Sequence, residues 1–391
     1  MYQAKTYIID LDEKPERRWR KVINDHIDHF GAVEREIDLI LSGVGAFGGI
    51  AKFVTSTFST FGKVMYKKEL QGISKMTGIK MSKLILMQIC YEMFAACTSI
   101  VIKGNKYNYH FRTMDWEMDF LKNLTINAEF IKGGKTLFKA TTWAGYVGIA
   151  TAVNNDYSIA LNYRRSDGTL LGNIWRTMKM KWPVGYLIRY IFENNVTSSS
   201  ARSLLRTTQL ISPCYITFCT KCGPACVIMR NKDSVADEKV LGSNGSNGYL
   251  IQTNHDTIKT SYANIMESFE RYTLAEKILK EKFKFNSEGV CVNATQDKIL
   301  EEFHVRPIIN SHTIYSSIIV PSKYLLKAYV VSDYSYVDGN FKKFMNIDLD
   351  KVKKDTTKCI PSVDTDLPNT MFDVDLDEPF DDYHVKEYDD L

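Results

Sequence analysis

Two spacings of apolar residues divide this chain. Up to Ala96 they recur three and four apart. Trp19, Val22, Ile23 and Ile27 follow Pro15, which suits a first helical turn, and a second run spans Val33 to Leu41 and stops at Ser42-Gly43. Met81 opens a nearly all-apolar stretch through Leu84, Ile85, Met87 and Ile89 to Met93, the pattern of a buried helix. Residues 1–96 are therefore expected to be helical, with the last helix delivering the chain to Ala95-Ala96. From Cys97 the spacing changes to two. Strands are expected at 98–103, 107–112, 124–131, 136–142, 147–153 and 157–163, with turns at Gly133-Gly134 and Asn154-Asn155 that imply antiparallel pairing. Helices follow at Asn173–Phe192, interrupted by Pro183, and at Ser200–Thr207. Strands return at 214–219, 225–230 and 249–254, then helices at Ser268–Lys282 and Gln296–Phe303, then a hairpin of Ile314–Val320 with Tyr324–Val331. Strands, a helix layer and strands again fit an α+β fold of two packed sheets flanked by helices.

Gly43–Phe58 is apolar, glycine-rich and almost uncharged. Its residues suit a buried helix pair or an apolar lip that touches lipid, with burial the default. The 391 residues carry a net charge of +4, which by itself implies no nucleic-acid partner. That charge is uneven: the stretch from Pro361 to Leu391 holds eleven acidic residues and one lysine, a net of −10, leaving +14 on the rest. The tail lacks apolar periodicity and is expected to stay mobile. The basic body suits an anionic membrane surface, although scattered lysines also make an ordinary solvated face. The first twenty residues have no apolar run of the kind a signal peptide needs, and no stretch approaches the roughly 20 apolar residues of a spanning helix. Sequons at Asn123, Asn195, Asn244 and Asn293 would accept glycans on a secretory route. Cys214, Cys219, Cys222 and Cys226 cluster without a histidine, which argues against zinc and leaves a disulfide or free thiols open.

The candidate chemistry lies in Cys97–Asp115. Thr98–Ile102 and Tyr107–Phe111 read as strands joined by Gly104-Asn105, a two-residue type II′ turn. That turn would pair Lys103 with Lys106 and set Cys97 opposite Arg112. A guanidinium there would favour the thiolate, and Asp115 could hold the guanidinium or the groups around it. On spacing alone, an ordinary hairpin with a buried cysteine and a surface arginine fits as well.

A wider set of motifs adds a resemblance. A-C-T-S-I-V at the cysteine, H-F-R-T-M-D, W-A-G-Y-V-G and Q-T-N-H-D at Gln252–Asp256 follow T-Y-I-I-D-L-D near Thr6 and E-L-Q-G-I-S, in that order. Over roughly the first four fifths of its length the chain resembles the acid ceramidase and N-acylethanolamine acid amidase family, within the choloylglycine-hydrolase group of N-terminal-nucleophile hydrolases. The resemblance implies an αββα sandwich with a helical N-terminal α-subunit segment (1–96), a catalytic β-subunit (97–335) and a tail (336–391). It implies self-cleavage between Ala96 and Cys97, α and β chains that stay associated, an N-acyl lipid substrate, a lysosomal or secretory setting (with a cytoplasmic one the alternative that the lack of a signal-peptide pattern leaves open), and no metal or cofactor. Cys97 would be the nucleophile and its freed α-amine, with a pKa of about 7.7–8, the base. The uncut chain would then be inactive. Arg112 and Asp115 match the pair that orients and charges the nucleophile, Asn254 matches an oxyanion donor, and Arg271 an electrostatic brace. Tyr163 departs: in A-L-N-Y-R-R it stands where the lipid amidases carry Glu, whereas penicillin V acylases and bile-salt hydrolases carry Tyr or Asn. Penicillin- or bile-salt-type amides, and a lipid-binding member without turnover, are the alternatives to a ceramidase-like enzyme.

Overall fold

The computed structural model describes residues 1–43, 64–164, 181–221, 223–242, 248–256 and 266–332, with 176 and 179. Residues 44–58 of the apolar glycine-rich stretch, Cys222 and the acidic tail lie outside them.

Among the described residues, fourteen strands form two sheets. The first runs β1 (Tyr2–Gln3), β14 (Leu325–Val330), β13 (Thr313–Val320), β4 (Asn108–Asp115), β3 (Ala96–Lys103) and β12 (Tyr249–Gln252), antiparallel throughout. The second runs β11 (Val235–Val240), β10 (Cys226–Arg230), β9 (Cys214–Thr220), β8 (Tyr157–Tyr163), β7 (Thr151–Val153), β6 (Lys135–Trp143), β5 (Thr125–Lys132) and β2 (Thr6–Asp10). Only the β2–β5 pair in it is parallel.

Period-two alternation sorts the side chains of β3 into two cores. Cys97 faces the second sheet, in a core shared with Met114, Leu161 and Tyr315. Ile100 and Ile102 face the other way and pack with Leu274, Ile278 and Phe303 from helices Ser268–Lys282 and Gln296–Phe303. On the outer side of the second sheet, helix Val184–Glu193 sets Phe192 against Phe138, with ring centroids 5.3 Å apart. The result is helix, sheet, sheet, helix.

The N-terminal segment is not all helical, as the spacing led us to expect. Thr6–Asp10 alternates, burying Tyr7 and Ile9, and the segment supplies an edge strand to each sheet, β1 on β14 and β2 on β5. These strands are short and lie on sheet edges, where the apolar signal is weak. The helix expected from Pro15 is broken into Pro15–Arg17, Arg20–Asp25 and Ile27–His29. Trp19 caps the middle piece and buries its indole, which donates to Glu69 Oε2 at 2.6 Å. Glu69 stands in helix Lys67–Thr77, and that helix lies so close to Glu16 that a Cβ on Gly72 would meet the Glu16 carbonyl. The Glu69 carboxylate also accepts from Arg18 at 2.9 Å and from both terminal nitrogens of Arg189 at 2.7 Å. Burial alone would raise its pKa, but Arg189, Trp19 and Arg18 hold it below the usual carboxylate value. This buried cluster ties the segment before Cys97 to helix Val184–Glu193 after it.

Other differences are local. Helix Met81–Phe94 forms as expected, and its buried Gln88 donates to the Gly145 carbonyl at 3.0 Å and accepts from Val147 N at 2.8 Å. Of the helical run expected at Asn173–Phe192, residues 173–175, 177, 178 and 180 lie outside the described ones; the chain is not helical at 181 and 182, and Pro183 caps the part that follows, Val184–Glu193. The strand expected at 147–153 contracts to Thr151–Val153. β11 was not foreseen, because V-A-D-E-K-V is a charged, half-buried edge strand whose composition hides its alternation.

Candidate active site

The β3–β4 turn is longer than two residues. Gly104 N donates to the Tyr107 carbonyl at 3.0 Å, and Lys103 pairs with Asn108. The register therefore moves by two: Cys97 faces Met114, and Arg112 faces Ser99, not Cys97. A shift of two preserves the face. Arg112 stays on the inner side as a diagonal neighbour of Cys97, and its Nη2 lies 3.3 Å from Sγ. The same Nη2 donates to the Leu161 carbonyl at 2.7 Å, and Nη1 donates to the Tyr315 hydroxyl at 2.5 Å.

The thiol is fully buried, and burial pushes its pKa up. Arg112, Arg271 and a backbone hydrogen bond from Tyr163 work downward and Asp115 upward, and burial prevails. Arg112 thus favours the thiolate as expected, but burial outweighs it and the net shift is upward.

Asn254 sits two residues past β12, where its backbone N–H donates to Ser268 Oγ at 2.8 Å. Its Oδ1 accepts from Cys97 N and from Arg271 Nη2, each at 2.8 Å. Its Nδ2 donates to the Tyr163 carbonyl at 2.8 Å. The amide is thus oriented along the chain nitrogen of Cys97. Tyr163 ends β8 opposite Cys214, half-buried, and meets Asn254 through its backbone, while its ring packs on the main core.

Arg271 comes from helix Ser268–Lys282. Its Nη1 donates to the Cys97 carbonyl at 2.6 Å and to Thr98 Oγ1 at 2.8 Å, and lies 3.7 Å from Asp115 Oδ2. Asp115 was expected to hold the Arg112 guanidinium or the groups around it, and it holds one of the latter. Residues three apart on a strand point to opposite faces, and the ion pair that Asp115 makes is with Arg271. Asp115 Oδ1 accepts from Thr313 Oγ1 at 2.6 Å. Burial raises the Asp115 pKa, against the pull of Arg271, Thr313 and Arg112.

Several groups at the site carried no sequence signal that we read. Asn162 donates to the Gln252 carbonyl at 2.9 Å and accepts from Ser99 Oγ at 2.8 Å, binding β8, β3 and β12 together. Arg164 forks onto Asp256 at 2.8 and 2.6 Å, closing the Asn254 loop onto the end of β8. Both lie in motifs quoted above, A-L-N-Y-R-R and Q-T-N-H-D, so adjacency could have found them. Tyr315, in a run of apolar and small residues, could not have been found this way.

An apolar pocket adjoins the site. Val33 and Ile37 of helix Phe30–Gly43, Met87, Trp116, Leu121 and Trp143 line it. The Trp143 ring lies 6.2 Å from Tyr315, whose hydroxyl touches Arg112. Among the described residues no cluster of His, Cys, Asp and Glu could hold a metal ion, and Cys97, Cys214, Cys219, Cys226 and Cys291 are free thiols. Nor is any helix among them long and apolar enough to cross a membrane.

Residues 97–270 match the profile of the linear amide C–N hydrolases, choloylglycine hydrolase family, and residues 2–64 that of the beta subunit of N-acylethanolamine-hydrolyzing acid amidase. The N-acylethanolamine-hydrolyzing acid amidase of Caenorhabditis elegans is 30% identical over 335 residues, which cover 82% of this chain and 90% of that protein. Acid ceramidase of Heterocephalus glaber is 30% identical over 362 residues, 83% of this chain and 85% of that one. An uncharacterized protein of Acanthamoeba polyphaga mimivirus is 32% identical over 328 residues, 81% and 96% of the two chains. Among solved structures, the Caenorhabditis elegans N-acylethanolamine-hydrolyzing acid amidase ortholog superposes with a TM-score of 0.50 at 29% identity, over 58% of this chain and 93% of that one.

Proposed function

Since this chain belongs to the family of acid ceramidase and N-acylethanolamine-hydrolyzing acid amidase, amide hydrolases of N-terminal-nucleophile fold, we propose that it hydrolyses ceramide or a related long-chain N-acyl lipid. In this reading the thiol of Cys97 is the nucleophile, and it becomes competent after a cut between Ala96 and Cys97. The observation that carries the reading is the pair of contacts on one residue: Arg112 Nη2 on Sγ and Asn254 Oδ1 on the backbone nitrogen.

In the uncut chain that nitrogen is an amide and no base, and the thiol is buried and protonated. In the proposed cut, Sγ attacks the Ala96 carbonyl carbon, and the C–N bond breaks as the nitrogen takes the thiol proton. Water then hydrolyses the Ala96 thioester, restoring the thiol and leaving a free α-amine. In turnover that amine takes the thiol proton, Sγ bonds to the acyl carbon, and the proton passes to the departing amine. Water releases the fatty acid. Arg112 stabilises the thiolate, and an Asn254 Nδ2–H turns from the Tyr163 carbonyl to the developing oxyanion. Arg271 holds the Cys97 carbonyl and Asn254, with Asp115 holding Arg271.

The apolar pocket, which reaches Arg112 only through Trp143 and Tyr315, supports an apolar group as the one bound, and residues from both sides of the proposed cut line it. The β1–β14 and β2–β5 pairings and the Glu69–Arg189 cluster support two pieces that stay together after the cut. A mass spectrum of protein incubated at acid pH tests the cut: a fragment starting at Cys97 is expected, and an intact chain would overturn it. Parallel assays on ceramide, N-acylethanolamines and conjugated bile salts test the substrate. Preference for the bile salts would move the assignment to the water-soluble amides that Tyr163 recommends.

A further inference from the structure

We propose that Tyr315 is a positioning residue of this site: its hydroxyl fixes the Arg112 guanidinium against Cys97 Sγ. The inference rests on Cys97 being the nucleophile.

Tyr315 stands on β13 opposite Met114, itself opposite Cys97 on β3, so its side chain enters the same inter-sheet layer. Tyr315, Arg112 and Thr151 are fully buried. Arginine only donates, so in the 2.5 Å contact the Tyr315 oxygen accepts from Arg112 Nη1. The phenolic proton is then left for Thr151 Oγ1, 2.9 Å away on β7 of the second sheet. The phenol ring also lies beneath the guanidinium, 5.3 Å from its Cζ. One edge of the fork is therefore held from the second sheet through Thr151 and Tyr315, while Nη2 reaches the thiol and the Leu161 carbonyl.

This hold matters because Arg112 draws the thiol toward its thiolate by distance alone. An opposite charge within about 4–6 Å shifts a pKa by about 1–3 units, and a guanidinium free to swing would forfeit much of that. Without the hydroxyl, Nη1 loses its 2.5 Å contact and the link through Thr151 to the second sheet, and the fork is held less tightly against the thiol. The other charged or titratable groups facing Cys97 are Asp115 on β4, Arg271 on helix Ser268–Lys282 and, in the processed enzyme, the α-amine of Cys97 itself, which is the same in parent and variants. The first two act through the other face of β3 and are untouched by the change.

The test uses the processed enzyme and two variants, Tyr315→Phe and Thr151→Val. Cys97 is alkylated with iodoacetamide across a pH series and read by peptide mass spectrometry, alongside kcat and KM on a fluorogenic long-chain N-acyl amide. We expect Tyr315→Phe to raise the midpoint of alkylation by about one unit and to lower kcat about tenfold below that midpoint, with KM within about twofold. Thr151→Val, which keeps the tyrosine but frees its proton, should move both in the same direction by less. An unchanged midpoint in Tyr315→Phe overturns the inference, even if kcat and thermal stability fall together, since that is the pattern of a packing residue. A parent that alkylates but hydrolyses no amide would count against the proposed substrate, and the midpoint comparison would still decide the role of Tyr315.

Discussion

Replacing Arg271 with methionine should expose how the outer face of β3 is balanced. The guanidinium supplies hydrogen bonds to the Cys97 carbonyl, Thr98 Oγ1 and Asn254 Oδ1, and it is the ion-pair partner of the fully buried Asp115. Methionine fills much of the space and brings no charge. Asp115 is then a buried carboxylate left with Thr313 as its closest donor, 2.6 Å away. Breaking one half of a buried pair costs about 3–5 kcal/mol, and that is the loss we expect in urea unfolding at pH 8. The comparison is made in Cys97→Ala protein, where the chain stays whole. The cost should fall with pH. Burial already raises the Asp115 pKa, and Arg271 is the largest force opposing that rise, so the variant raises it further. A carboxyl whose folded pKa lies above its unfolded value stabilises the fold below the unfolded value, and that stability is lost as pH rises through the folded value. The deficit relative to Cys97→Ala alone should therefore be largest above neutrality and shrink toward pH 5. Adding Asp115→Asn should recover most of it at pH 8 and flatten the pH dependence. A deficit under about 1 kcal/mol, or one of equal size at pH 5 and pH 8, would refute this account of the pair.

Three further outcomes are expected. Cys97→Ala should abolish both the fragment and amide hydrolysis while Cys219→Ala leaves both intact, as read by mass spectrometry and fatty-acid release; a fragment in Cys97→Ala would remove the assignment. Arg112→Lys keeps the charge but loses the fork that reaches Tyr315 and Leu161 together, so kcat should drop about tenfold or more, equivalent to one charge-assisted hydrogen bond; rates within twofold of the parent would contradict it. Tyr163→Glu places a carboxyl at the end of β8 beside the Asn254 contact, and the pH–rate profile should gain a limb near pH 4–5 or higher; an unchanged profile would put the Tyr163 side chain outside the reaction.

Much of this was legible in the residues, and the failures have physical causes. The strands after Cys97 announce themselves because their inward and outward residues differ in chemistry, and Ser268–Lys282 and Gln296–Phe303 because capping and spacing agree. The hairpin was read with the shortest turn its Gly-Asn permits. Nothing in the sequence says that Lys106 and Tyr107 belong to the turn, and the error survived because two residues is one full strand period. Asp115 holds Arg271 and not Arg112 for the complementary reason, since three residues is not a multiple of two. Arg271, placed by motif order alone, turned out to join Asp115, Cys97 and Asn254 into one network. Tyr315 and Thr151 come from strands 164 residues apart in sequence, and only the packing of the two sheets brings them together.

The two edge strands drawn from the first ten residues impose an order of events. β1 covers the outer edge of β14, and β2 covers that of β5. A piece beginning at Cys97 and made alone would present both edges bare, and unpaired edges are the surfaces along which partly folded chains join one another. Under the proposed cut, the peptide bond before Cys97 would be a tether before it is a scissile bond. It delivers both edge strands at high local concentration while the sheets assemble, and would be dispensable only once they are seated. Folding would then have to precede the cut, and a gene split at this point and expressed as two separate halves should yield aggregate where the continuous gene yields protein.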